Sequence, residues 1–249
     1  MKRFISLLMV LTMVLSMVPT VSFAAEETGG LRTVYADPAS GLDTNDGLTE
    51  SAPVQTMEAA YAALDGAAEG KIVLLSTLTL TEATTFPSCP IPVTLTSKTG
   101  SEGIQSSKNI FFGGDTTLEN MTLTIAADNN TTYLSGEGHD LTIGDGITTK
   151  ATYSGRRFCL TLRHGEGSMD GATLTVNAGN WRSIFYGGYN KATTGNCTLI
   201  MNGGNVNNIV GPTYSGTVTG DTAVYINGGT INVFDPGANT RGLYLRGID

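Results

Sequence analysis

Toward the C-terminus, apolar and polar side chains alternate in three stretches of one pattern: Thr173-Leu174-Thr175-Val176-Asn177-Ala178-Gly179, Thr198-Leu199-Ile200-Met201-Asn202-Gly203-Gly204 and Ala223-Val224-Tyr225-Ile226-Asn227-Gly228-Gly229. Equivalent positions lie 25 residues apart, as Asn177, Asn202 and Asn227 do. A period of two marks a strand with one buried face. A repeat of this length is one unit that cannot bury its apolar face alone, so units must stack on one another.

Within each unit Leu174, Leu199 and Val224 share one column, and Val176, Met201 and Ile226 another. A second strand follows, with Trp181, Val206 and Ile231 in one column and Ile184, Ile209 and Phe234 in the next. Gly179, Gly204 and Gly229 stand between the two strands, where a sharp corner calls for positive φ. Parallel stacking would set the units about 4.8 Å apart and bring Asn177, Asn202 and Asn227 into an amide ladder. The expected fold is all-β, a single-stranded parallel β-helix or solenoid.

Upstream the pattern changes. Thr33 to Ala36 reads as a short strand, and Gly41 to Gly47 as a polar loop bounded by glycines. Thr56 can cap a helix in which Met57, Ala60, Tyr61 and Leu64 form an apolar stripe, ended by Gly66 and Gly70. Because a first coil exposes both its interior and an unpaired edge, an amphipathic helix at residues 57–64 is expected to cap it. Coils then run over residues 71–249, with strands at 71–75, 78–81, 93–96, 109–112, 117–118, 121–125, 141–143 and 158–162. Their spacing is looser than in the last three units: Ile125 to Ile143 is 18 residues and Ile143 to Val176 is 33. Arg241 to Asp249 reads as a strand cut short, so a further domain or a partner is expected over the last coil.

Residues 1–24 read as a signal peptide. Lys2 and Arg3 precede an apolar run from Phe4 to Val18, and Ser22-Phe23-Ala24 supplies small residues for cleavage before Ala25. A membrane anchor is the competing reading, against which the run is short of a comfortable span and is followed by the cleavage pattern rather than by basic residues. The organisation is then a leader (1–24), an opening strand, loop and helix (25–70), and the coils (71–249). The whole chain carries a charge of −8, from 14 basic and 22 acidic residues. Losing Lys2 and Arg3 leaves 12 against 22, or −10. Such a balance disfavours nucleic acid and anionic lipid as partners, and no second apolar span follows residue 25. Charged residues make up 14% of the chain, against about 25% on average, and 32 glycines suit a solenoid. Cys89, Cys159 and Cys197 have no metal-like spacing and read as buried or half-buried thiols.

Val34-Tyr35-Ala36-Asp37-Pro38, then Gly41-Leu42-Asp43-Thr44-Asn45-Asp46-Gly47, Pro53 and Thr56-Met57-Glu58-Ala59-Ala60, resemble the opening of secreted right-handed parallel β-helix proteins of the pectate-lyase-like superfamily. Leu118-Glu119-Asn120-Met121-Thr122-Leu123 is similar to a coil sequence common among them, and the leader, with Leu15 to Thr20, looks like those of large cell-surface proteins of Gram-positive anaerobes. The resemblance implies a right-handed coil and a secreted or surface location. It does not imply one activity, because that superfamily contains lyases, hydrolases and proteins with no known chemistry.

The candidate sites follow from what such folds can do. A lyase needs carboxylates holding Ca²⁺ and a basic residue to take a proton beside a uronate, whereas a hydrolase needs two close carboxylates. The one catalytic constellation is Arg156, Arg157, Arg163 and His164 with Glu166 and Asp170; a solvated turn or a basic glycan-binding patch would explain the same residues. Asp43, Asn45 and Asp46 form an oxygen-rich loop that could hold Ca²⁺, but their spacing departs from the EF-hand loop and Asx turns explain the same residues. Trp181 sits in a column with Val206 and Ile231, which points it inward. Tyr189 and Tyr214 share a column outside the strands and are the aromatic candidates for contact with a polysaccharide or host glycan. The expected role is a non-catalytic, adhesin-like surface module; a polysaccharide lyase or glycoside hydrolase is the alternative, and a structural spacer of a longer surface protein a third. Mass spectrometry of exported protein is expected to find Ala25 at the mature N-terminus; retention of residues 1–24 would mean an anchor instead.

Overall fold

The computed structural model describes residues 29–126, 131–169, 171–187, 189, 191–211, 218–235 and 240–245. They form a parallel β-solenoid, all-β apart from one short helix. The longest sheet has nine strands, which in spatial order are Leu31–Ala36, Glu69–Leu74, Val93–Ser97, Thr116–Leu118, Leu141–Ile143, Ala172–Val176, Cys197–Met201, Thr222–Ile226 and Thr240–Leu245. Every pairing between them is parallel. Spatial order follows chain order, so each coil lies on the one before it.

One inner column shows how this works. Val34, Ile72, Leu95, Leu118, Ile143, Val176, Met201 and Ile226 are stacked register partners, and none is more than 1% exposed. Full burial of each such side chain contributes about 1.5–3 kcal/mol. The loose spacing expected between residues 125 and 143 came from joining two columns: Ile143 stacks on Leu118, whereas Ile125 stacks on Ala151 in another sheet. Along the true column the steps from Leu95 to Met201 are 23, 25, 33 and 25 residues.

The 33-residue step has a structural cause. Early coils pass from the long sheet to a four-stranded one (Leu78–Leu80, Gly103–Ser106, Thr122–Ile125, Thr148–Ala151) and then to a seven-stranded second sheet. Late coils go directly from the long sheet to that second sheet, and then to a three-stranded one (Gly167–Ser168, Thr193–Thr194, Val218–Thr219). Among the described residues, only the coil beginning at Leu141 contributes to all four sheets.

The three aligned asparagines form the expected ladder. Asn202 Nδ2 donates to Asn177 Oδ1 at 2.9 Å, and Asn227 Nδ2 donates to Asn202 Oδ1 at 2.8 Å. Asn205 and Asn180 repeat the contact one strand on, at 2.9 Å. At the corner, Gly179 has φ +92°, and a Cβ there would also lie 2.8 Å from the Trp181 ring. Trp181 is fully buried, and its Nε1 donates to Ala178 O at 2.8 Å.

At the N-terminal end the helix spans Met57–Ala62, and the Thr56 side chain accepts from Ala59 N. Met57, Ala60, Tyr61 and Leu64 belong to the same apolar core as the coils. The Tyr61 ring stacks on Phe86, and Phe86 on Phe112. The edge of the first strand is paired by the loop before the helix, since Tyr35 N donates to Gly47 O at 2.7 Å and Val54 N to Tyr35 O at 3.0 Å. Among the described residues, no helix is long and apolar enough to cross a membrane.

Gly66 and Gly204 both have φ +80°, but a Cβ would meet nothing within 4 Å at Gly66 and would lie 2.9 Å from Gly179 O at Gly204. Gly66→Ala is therefore expected to cost about 1–2 kcal/mol of left-handed strain, and Gly204→Ala a further amount of about 1–3 kcal/mol from overpacking. Denaturant titration of the two variants checks this; equal midpoints would contradict the packing at the corner.

Candidate functional site

The outer face of the second sheet gathers the candidate residues His164 and Tyr189. Its strands include Ile110–Phe111, Tyr133–Ser135, Cys159–Thr161 and Asn180–Phe185. Ile110, Leu134, Leu160 and Ile184 stack inward with no exposure. Alternation therefore turns Phe111, Tyr133, Ser135, Cys159, Thr161 and Phe185 outward. Tyr133, Cys159 and Phe185 are nevertheless buried, in an apolar cluster separate from the main core that also takes in Tyr189 and Val210.

His164 and Tyr189, both half-buried, complete this cluster. Ring centroids lie 4.9 Å apart for Tyr133 and His164, 4.6 Å for Tyr133 and Tyr189, and 4.7 Å for Phe185 and Tyr189. Phe111 meets His164 edge-on at 5.7 Å. Tyr189 N donates to Arg163 O at 3.0 Å, so the loop bearing Tyr189 stacks on the one bearing His164. Such amphipathic rings can lie against the apolar face of a sugar while their polar edges meet its hydroxyls.

Glu137 stands beside His164. Its Oε1 accepts from Ser135 Oγ at 2.6 Å and from His164 N at 3.1 Å. Its φ of +50° is a strained conformation for a residue with a Cβ. Burial lowers the His164 pKa, and the Glu137 charge opposes that shift. Burial also pushes the Cys159 thiol up to about 11 and the Cys197 thiol up to about 12, far from the range of a reactive thiolate.

The residues read as one catalytic constellation fall in two places. Arg163, His164 and Glu166 follow the strand Cys159–Thr161, whereas Arg156 and Arg157 precede it. The Arg163 guanidinium donates to three carbonyls: Glu137 O at 2.6 Å, Glu166 O at 2.8 Å and Ser168 O at 3.2 Å. It is a tie between loops. Glu166 enters this arrangement through its backbone, and its side chain is exposed on the turn. Arg156 and Arg157 line a cavity of about 290 Å³ with Lys150 and Asn180. Asp170 and Tyr214 lie outside the described residues.

In the oxygen-rich loop the side chains hold backbone. Asp43 Oδ1 accepts from Gln55 N and Thr56 N, each at 2.8 Å, and Oδ2 from Thr56 Oγ1 at 2.8 Å. These bonds, with Thr56 N first, keep the Asp43 carboxyl below the usual range. Asn45 Nδ2 donates to Pro53 O at 2.8 Å, and Asp46 Oδ1 accepts from Leu48 N at 2.9 Å, an Asx turn. No three His, Cys, Asp or Glu side chains are grouped as a metal would need among the described residues.

The sequence reading missed Phe111, Tyr133, Glu137 and Phe185. Glu137 carried a signal, since Gly136 and Gly138 flank it. The aromatic residues did not, because their convergence depends on register between coils of unequal length. Compared with known proteins, the chain matches no protein-family model, no curated protein and no solved structure.

The lowered His164 pKa has a pH consequence. As pH falls through the ordinary histidine value of 6.5, the unfolded chain takes up the proton before the folded one, so stability drops toward the depressed folded value. His164→Phe is expected to remove that part of the decline. Melting temperatures from pH 7.5 to 5 for both proteins check it, and identical slopes would contradict it.

Proposed function

We propose that the protein is an exported, non-catalytic module of the cell surface that binds glycan through the outer face of its second sheet. The observation that carries this reading is the engagement of Arg163. A lyase base needs a basic side chain free to approach a sugar ring, and this guanidinium is directed at the carbonyls of Glu137, Glu166 and Ser168. What the face offers instead is a rigid set of rings, with Tyr189 and His164 at its rim. Rings held by neighbouring rings lose little entropy when a ligand arrives.

In this reading the coil is right-handed, the hand that nearly all parallel crossover connections adopt. The helix at Met57–Ala62 acts as the cap of the first coil, supported by the Tyr61, Phe86 and Phe112 ring stack. Export rests on the leader, and the pectate-lyase-like resemblance adds the expectation of a carbohydrate ligand.

Glycan-array binding without release of unsaturated or reducing sugar is the expected result, with Tyr189→Ala, which also loosens the ring cluster, lowering affinity in a protein that still folds. Arg163→Ala is expected to lower stability by about 0.5–1.5 kcal/mol, since it removes the hydrogen bonds that tie these loops together. Turnover abolished by Arg163→Ala would instead establish an enzyme.

A further inference from the structure

The cavity at the other end of the Cys159–Thr161 strand has a different chemistry. Lys150, Arg156 and Arg157 line it together with Asn180, beside the buried Phe158. Three of the 14 basic residues in a chain of net charge −8 thus converge on one cavity of about 290 Å³. The described ion pairs are Lys71 with Glu119, Lys98 with Glu50 and His139 with Asp115. Lys150, Arg156 and Arg157 therefore have no carboxylate partner among the described residues.

The wall around these cations is held in place. Thr149 Oγ1 accepts from Asn180 N at 3.0 Å and donates to Asn180 O at 3.2 Å, while Asn180 Oδ1 accepts from Asn205 Nδ2 at 2.9 Å. The Asn180 amide is thereby oriented with its own N–H donors left over. Arg157 Nη1 donates to Asn207 Oδ1 at 3.1 Å, which anchors one corner of its guanidinium and leaves its remaining N–H groups. Among the described residues, Arg156 is engaged through its backbone N, which donates to Tyr153 O.

We infer that this cavity binds a tetrahedral oxyanion, a sulfate or phosphate ester carried on a saccharide. A planar carboxylate presents two oxygens and is satisfied by one bidentate arginine. Three separate cations and an amide match the three outward oxygens of a sulfate or phosphate group better. The overall negative charge repels polyanions elsewhere on the molecule, so the attraction is local and short-ranged at physiological salt. The saccharide part of this inference rests on the glycan-binding reading above; the oxyanion part does not.

Calorimetric titration of the full chain with sulfated, phosphorylated and uncharged forms of one oligosaccharide, and with inorganic sulfate, tests the inference. The expected result is preference for a charged form, a loss of at least tenfold in affinity in R156Q/R157Q, and a smaller loss in K150Q. K98Q, which removes the exposed cation paired with Glu50, is expected to bind as the parent does. These side chains lie at or near the surface, and unchanged melting curves verify that the variants fold. Equal affinity for charged and uncharged saccharide, or undiminished binding in R156Q/R157Q, overturns the inference. Sulfate binding lost in R156Q/R157Q, with no saccharide bound by any form, keeps the cavity as an oxyanion site and overturns the glycan reading instead.

Discussion

Parallel stacking requires each strand to bond the coil before it and the coil after it at once, and this fixes which residue stands above which. A slip of one residue would turn a whole strand inside out, moving its apolar side chains to solvent and its threonines to the core. The column from Val34 to Ile226 is the result, eight apolar residues with none more than 1% exposed. The Asn177, Asn202 and Asn227 ladder depends on the same requirement, since Asn202 donates to the amide of the coil before it and accepts from the amide of the coil after it only while the three stay in register. The glycine corner follows too. Gly204 has Gly179 O beneath it, so a Cβ there would push the coils apart.

Where register is strict the outer face is free to vary only in side chains, but where a coil lengthens it can carry loops. The 33-residue step from Ile143 to Val176 is the one place in the late chain where this happens. It holds Lys150, Arg156 and Arg157 before the strand Cys159–Thr161, and Arg163 and His164 after it. Both candidate surfaces therefore draw residues from one departure from the repeat, at the coil where the four-stranded sheet ends and the three-stranded one begins. Loops standing on a rigid scaffold are where binding residues concentrate.

The parts of this fold that depend on identity at a fixed spacing were legible in the sequence. Leu174, Leu199 and Val224, the asparagine ladder, the inward Trp181 and the Thr56-capped helix all stand where the pattern placed them. The early coils were harder because their strands are short and follow a different order of sheets from the late ones, so Ile125 and Ile143 looked like neighbours in one column while belonging to two. The aromatic cluster was illegible for a related reason. Phe111, Tyr133, His164, Phe185 and Tyr189 come from four different coils, and no local pattern joins them. Arg163 misled because a basic side chain after a strand reads the same whether it faces solvent or three carbonyls.

In the glycan-binding reading, the rings over the Cys159–Thr161 strand and the cations before it would suit different parts of one ligand. Rings bind the apolar faces of a saccharide with little sensitivity to salt, whereas unpaired cations bind its charged substituents with more. Tyr133 and Cys159 of the ring cluster are register partners, so the rings begin one residue beyond Phe158 of the cavity wall. The strand also sets the relative orientation of the surfaces, because its backbone is bonded to the coils on both sides. A ligand engaging both sites meets a scaffold whose geometry is already fixed, so the ordering cost of the second contact falls mainly on the ligand.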